Sequence, residues 1–168
     1  KYKNFYEKYE YSIKDILLYK NKIYLSFINE LSKDCYNTSI VVSDFNLDFL
    51  EFSNFFNPKD CVKKENDTGF FNPHIAGGRI VIFDENNLLF STGDFQNYKL
   101  AQSRDNIFGK ILKINTSNSK FEIVSMGHRN VQGLKYDNKK SFIISTEHGP
   151  IGGDEVNLNK LNNNKILN

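Results

Sequence analysis

Every apolar run in the chain is short and bounded by Asn, Asp, Lys or Gly, and that rhythm predicts strands and turns. Residues 11 to 18 and 22 to 28 are β-branched or aromatic runs broken only by Tyr19-Lys20-Asn21, the pattern of a hairpin. Thr38 to Phe45 and Leu50 to Phe56 add two candidate strands. Arg79 to Phe83, Leu88 to Thr92, Lys110 to Asn115 and Phe121 to Ser125 then form a second group of four. A third group holds Gln132 to Tyr136, Ser141 to Thr146 and Val156 to Leu158. No convincing amphipathic helix interrupts the series. Successive four-stranded units joined by turn-rich connections fit an all-β fold, either a β-propeller or a β-sandwich.

Composition supports strands and excludes several partners. Aromatic residues make up 14% of the 168, with 15 Phe, 9 Tyr and no Trp, which suits sheet packing. Twenty-two basic residues stand against 20 acidic ones, scattered rather than blocked, so neither nucleic acid nor a membrane surface is an expected partner. No apolar stretch approaches a bilayer span, and the first residues lack the apolar core of a signal peptide. Phosphate-binding glycine loops, H-E-x-x-H, paired C-x-x-C and a nucleophile elbow are all missing. On composition alone, Cys35 and Cys61 are either inert core thiols or a pair.

Polar and conformationally special residues concentrate in 127 to 157, GHRNVQGLKYDNKKSFIISTEHGPIGGDEVN. His128, Arg129 and Asn130 stand side by side, and an apolar run then leads into Glu147-His148-Gly149-Pro150. In that loop Gly149, Gly152 and Gly153 permit unusual backbone conformations, Pro150 has no N–H to donate, and Asp154 and Glu155 add two carboxylates. Such a loop can turn oxygens toward a cation.

GHRNVQGL followed at this distance by STEHGPIGGDEVN resembles the signature of the glucose/sorbosone dehydrogenase family, the soluble aldose sugar dehydrogenases that use pyrroloquinoline quinone (PQQ). The likeness extends upstream through AQSRDNIFGKILKIN, LLFSTGD and PHIAGGRIVIF. It covers roughly residues 70 to 160 well and the first 60 weakly. The resemblance implies a six-bladed β-propeller, of which this chain carries strands for about two and a half blades, so that residues 1 to 168 are expected to be part of one propeller domain in a fragment.

The resemblance also implies roles. His74 matches the family's general base, taking the proton of the anomeric hydroxyl as a hydride leaves the same carbon for the quinone. By itself it reads as a surface loop histidine. Asp94, otherwise a turn cap, matches the acid that hydrogen-bonds and orients that base. Arg129, otherwise a structural arginine between sheets, matches with Asn130 a donor pair toward the quinone oxygen, and His148 lines the same cofactor site. The carbonyls of Gly149 and Pro150 match the family's Ca2+ ligands. Asp154 and Glu155 either bind a second calcium or anchor the loop. His128 reads as a packing or hydrogen-bonding neighbour. One departure stands out: the family places an Arg four residues after the base, whereas Arg79 lies five after His74, and the extra glycine of Gly77-Gly78 can be absorbed as a β-bulge.

The implied activity is oxidation of an aldose sugar to a lactone, with PQQ and Ca2+ as cofactors, a small-molecule sugar as partner, no named electron acceptor and a periplasmic or secreted location. That location and the even cysteine count together predict a Cys35–Cys61 disulfide. The alternatives are a non-catalytic binding propeller of the same superfamily and a calcium-dependent lactonase. The functional residues are expected to converge at one end of the sheets near the propeller axis.

Overall fold

The computed structural model describes residues 8–162 and 165–166. Three antiparallel sheets follow one another along the chain. The first holds β1 (Ile13–Tyr19), β2 (Lys22–Ser32), β3 (Cys35–Asp44) and β4 (Ser53–Phe56) in that order, with the short β5 (Val62–Lys63) also paired to β3. β6 (Gly77–Asp84), β7 (Asn87–Thr92), β8 (Lys110–Asn115) and β9 (Phe121–Met126) make the second. The third is β10 (Val131–Asp137), β11 (Phe142–Glu147), β12 (Glu155–Asn162) and β13 (Lys165–Ile166).

Local chemistry sets the hairpins. Tyr19 pairs with Lys22 across a two-residue turn, and Lys20 and Asn21 both take positive φ, 48° and 58°. That is the geometry whose twist matches the flanking strands, and Asn tolerates it better than most side chains. Two differences from the sequence pattern are local. β4 begins at Ser53 rather than Leu50, and one short helix, α1 (Tyr98–Ala101), follows β7. The third sheet is also fuller than the pattern indicated, because β12 runs to Asn162 and pairs with β13.

The second sheet is buried on both faces. Leu88, Phe90, Leu112 and Ile114 pack toward Tyr24, Ile28, Tyr36 and Ile40 of the first sheet. Their neighbours Leu89 and Ile111 point the other way, toward Ile143 and Leu161 of the third. This alternation follows from the period of two along a strand, and each fully buried side chain of this size contributes roughly 1.5–3 kcal/mol. The outer faces of the first and third sheets remain apolar and exposed in places, as at Ile13, Ile16, Val156 and Leu158.

Cys35 opens β3 and Cys61 precedes β5, and the two form the expected disulfide, with Cα atoms 5.4 Å apart. The bridge closes a segment 26 residues long and so constrains the unfolded chain, by about 3–4 kcal/mol in the chain-entropy model. The first strands of the three sheets, β1, β6 and β10, lie side by side. Stacked antiparallel sheets with their first strands innermost are successive blades of a β-propeller.

Candidate functional site

The innermost strands are joined by one arginine. Arg79, on β6, donates from Nε to the Gln132 carbonyl of β10 at 2.9 Å and from Nη1 to Asp15 Oδ1 of β1 at 3.0 Å. The other oxygen of Asp15 accepts the Ile80 amide at 2.8 Å. The extra glycine before Arg79 is absorbed in a bulge: Gly77 and Gly78 have φ of 63° and 110°, and the β6–β7 register shifts between Gly77 and Ile80. The amides freed by this bulge are satisfied by side chains. Gly78 and Arg79 both donate to Ser91 Oγ, and Gly77 donates to Asn130 Oδ1 at 3.1 Å. A Cβ on Gly77 would stand 2.8 Å from the Gly93 nitrogen, so no other residue fits there unstrained.

Around this bulge the loops named by the sequence meet at one rim. The Asn72 amide donates to the Phe95 carbonyl and the Phe95 amide to the Ile75 carbonyl, at 2.9 and 2.8 Å. Asp94 donates its amide to the Arg129 carbonyl at 3.0 Å. Arg129 Nη1 in turn donates to the carbonyls of His148 and Gly149, both at 2.9 Å. The loops bearing His74, Asp94, Arg129, Asn130 and His148 are thereby stitched together.

One expected pairing is not made. Asp94 is buried, and its Oδ1 accepts the Gln96 amide at 2.7 Å. The exposed His74 ring instead meets Tyr9, whose hydroxyl lies 2.6 Å from Nε2 and whose ring stands edge-on at 4.9 Å. The expected His74–Asp94 hydrogen bond is therefore replaced by two separate contacts, the Asx-type turn at Asp94 and the Tyr9 contact of His74. Burial pushes the Asp94 carboxyl up to about 6; the Gln96 amide and Arg129 oppose this, and Glu147 adds to it. A carboxyl so placed can hold or release a proton near neutrality.

His128 is a structural neighbour, as its sequence suggested. Its Nδ1 donates to Glu147 Oε1 and its Nε2 meets Ser125 Oγ, each at 2.8 Å, with all three side chains buried. Glu147 also accepts the Arg129 amide at 2.7 Å and Asn157 Nδ2 at 2.8 Å. Burial alone would raise this carboxyl, but the hydrogen bond from His128 and the amides of Arg129 and Asn130 hold it below the usual carboxylate range. The result is a fixed anion under the Arg129 backbone.

The glycine loop closes on itself. A Cβ on Gly149 would fall 1.8 Å from the Gly153 carbonyl, so the two arms of the loop approach as closely as glycine allows. Asp154 Oδ2 lies 3.2 Å from His148 Nδ1, and Glu155 Oε2 accepts Asn157 Nδ2 at 3.1 Å. The Pro150 ring is exposed. Among the described residues no group of three or more His, Cys, Asp or Glu side chains gathers to hold a metal.

Two members of this neighbourhood were not singled out from sequence. Tyr9 is one, and nothing in its sequence context points to a residue 65 positions away. Lys110 is the other: wholly buried, it donates from Nζ to the carbonyls of Leu100, Ala101 and Phe108, which end α1 and the loop after it. Burial brings its ammonium down to about 8, against a smaller opposing pull from Asp94. Its signal lies in strand alternation, since Lys110 shares a face with the core residues Leu112 and Ile114.

The fold and this rim are those of a propeller with polar loops gathered at one end. The model of the Glucose / Sorbosone dehydrogenase family matches residues 17–164, and the chain belongs to that family. It is 32% identical to Aldose sugar dehydrogenase YliI of Escherichia coli and 36% identical to an uncharacterized protein of Synechocystis, each across 49% of this chain and 26% of the relative. Among solved structures it resembles the soluble aldose sugar dehydrogenase of Escherichia coli in its apo-form, with a TM-score of 0.71 and 23% identity across 88% of this chain and 46% of that one. It also resembles the PQQ-bound aldose sugar dehydrogenase of Streptomyces coelicolor, with a TM-score of 0.63 and 25% identity across 82% of this chain and 40% of that one. The chain thus spans about a quarter of its curated relatives and less than half of these two structures. Among the described residues no helix is long and apolar enough to cross a membrane.

Proposed function

We propose that this chain is part of a quinoprotein oxidoreductase that oxidises the anomeric carbon of an aldose to a lactone, with residues 1–168 forming part of one propeller domain. The observation that supports it most is the position of Arg129. Its guanidinium is half-buried where the four loops meet, one nitrogen is spent on two carbonyls, and Nε and Nη2 have no hydrogen-bond partner among the described residues. A planar, delocalised cation with two nitrogens unengaged among the described residues, where these loops meet, suits an anionic, planar quinone. Asn130, beside it, is buried and holds the bulge through Gly77, so its part is to fix the Arg129 loop, while the exposed His148 borders the same rim.

The quinone, when bound, supplies the acceptor for the hydride. His74 Nε2 takes the proton of the anomeric hydroxyl, and Asp94 lends negative charge to the rim when ionised. Glu147 fixes the backbone from which Arg129 projects. For calcium, the ligands that the resemblance implies are the carbonyls of Gly149 and Pro150, with Asp154 and Glu155 beside them. In this arrangement the Gly149 oxygen is taken by Arg129 and Asp154 by His148, so the set does not fit a divalent cation as it stands, and no step is routed through one. A periplasmic or secreted location is supported by the disulfide.

One observation favours the second reading, a binding propeller without catalysis: the missing His74–Asp94 hydrogen bond. Titration of PQQ into the chain, followed by quinone absorbance, separates the two. Saturable binding weakened at least tenfold by Arg129→Ala supports the dehydrogenase reading, and equal affinity of the two proteins overturns it. Sugar-dependent dye reduction by the 168-residue chain alone is not expected, since the exposed outer sheet faces are proposed to be covered by further blades.

A further inference from the structure

Tyr9 lies ahead of the first strand, far in sequence from every motif residue, yet its hydroxyl is 2.6 Å from His74 Nε2. The contact has two parts. The rings meet edge to face, 4.9 Å between centroids and 87° between planes, and the phenol oxygen is aimed at the imidazole nitrogen. An imidazole lone pair is a better acceptor than a phenol oxygen, and a phenol O–H is a better donor than a neutral imidazole N–H, so the favoured arrangement has Tyr9 donating to Nε2. The His74 amide is separately held by Asn72 Oδ1 at 2.9 Å, and Lys14 Nζ donates to the Pro73 carbonyl at 3.3 Å. The loop is therefore anchored by its backbone, leaving the Tyr9 hydroxyl to decide which nitrogen of the ring carries the proton.

We propose that Tyr9 is a positioning residue for His74: its phenol occupies the place of a ligand hydroxyl on Nε2, holding the ring with its proton on Nδ1 until an incoming hydroxyl replaces it. The functional meaning of this contact rests on His74 being the proton acceptor proposed above; the contact itself does not. A hydroxyl donating to Nε2 is what an anomeric hydroxyl must do before its proton can move. Tyr9 is 70% exposed, so the exchange requires no repacking of the core. The residue thereby makes the segment before the first strand a part of the site. It selects for ligands whose hydroxyl competes with a phenol.

The test uses the whole chain and needs no turnover. Diethyl pyrocarbonate modification, resolved by mass spectrometry, reads the reactivity of each histidine, and long-range 15N spectra report which ring nitrogen bears the proton. In the wild type the neutral His74 ring should carry its proton on Nδ1. Tyr9→Phe keeps the ring contact and removes the hydroxyl; it should move the proton toward Nε2 and speed modification of His74 about fivefold, the factor that corresponds to one hydrogen bond of about 1 kcal/mol. The exposed His148 serves as the internal standard and should keep its rate. An unchanged tautomer and rate in Tyr9→Phe overturns the proposal, as does acceleration by Tyr9→Ala but not by Tyr9→Phe, which would show that the ring merely covers the site. Equal PQQ affinity of the wild type and Arg129→Ala would overturn the dehydrogenase reading and leave these two measurements standing.

Discussion

His128 Nδ1 lies 2.8 Å from Glu147 Oε1, and that pair joins the loop after the second sheet to the last residue of β11 in the third. Because Glu147 also takes the Arg129 amide, the carboxylate couples the packing of two blades to the placement of the cationic side chain on the rim. Glu147→Gln removes the charge while preserving shape. Its carboxyl is held below the ordinary range in the folded protein, so the stability it contributes is full above the unfolded value and is lost as pH falls through the folded one. Urea unfolding at pH 7 should show the variant less stable by about 1–3 kcal/mol, with the gap narrowing as the pH is lowered.

Asp94 runs in the opposite direction. Its folded value is raised to about 6 by burial, so the folded state holds the proton more tightly than the unfolded chain, and stability falls as pH rises from about 4 to 6. Asp94→Asn keeps an oxygen for the Gln96 amide and removes the buried charge. At pH 7.5 the variant should be more stable than the wild type, by about 2 kcal/mol, and at pH 4 the two should unfold together. Thermal scans at the two pH values check this. A wild type more stable at pH 7.5 would mean that the Asp94 charge is stabilised by its surroundings. A carboxyl whose ionisation costs stability yet sits beside Arg129 is the kind of strain that functional sites retain.

Strand alternation made the sheets legible because the buried faces are apolar at every second residue. The same alternation places Lys110 with Leu112 and Ile114, and Glu147 with Ile143 and Ser145, on buried faces. Read strictly, it marks both charged residues as paired and structural. The bulge at Gly77-Gly78 was legible from a single extra glycine. The partner of His74 was not: the pairing expected from the motif was with Asp94, whereas Asp94 accepts from its own turn and His74 meets Tyr9, which comes from a segment with no motif at all. Contacts between distant loops depend on how blades stack, which no local pattern encodes.

The Cys35–Cys61 bridge fastens the loop between β4 and β5 to the start of β3. Alkylation of the unfolded, unreduced chain should find no free thiol. Reduction should lower the stability of the fold by about 3–4 kcal/mol, seen as an earlier urea midpoint, if the bridge acts through the unfolded chain. Two alkylatable thiols in protein folded under oxidising conditions would remove the bridge from the account.

Lys110 offers a test of burial that is independent of the rim. Its ammonium is held at about 8 in the fold, below the ordinary lysine value near 10.5, because burial penalises the charged form more than three carbonyls and Asp94 repay. Between those two values the unfolded chain binds more protons than the folded one, so the Lys110 contribution to stability rises with pH across that window. Lys110→Met fills a similar volume without a titrating group. Other lysines and tyrosines titrate over the same range, but equally in both proteins, so the difference between wild type and variant isolates Lys110. From pH 8 to pH 10 the wild type should gain about 1–2 kcal/mol relative to Lys110→Met in urea unfolding. A difference that stays flat across the window would show that the carbonyl cage compensates the charge fully, and that the lysine is held in its ordinary ionised state by the ends of α1 and its following loop.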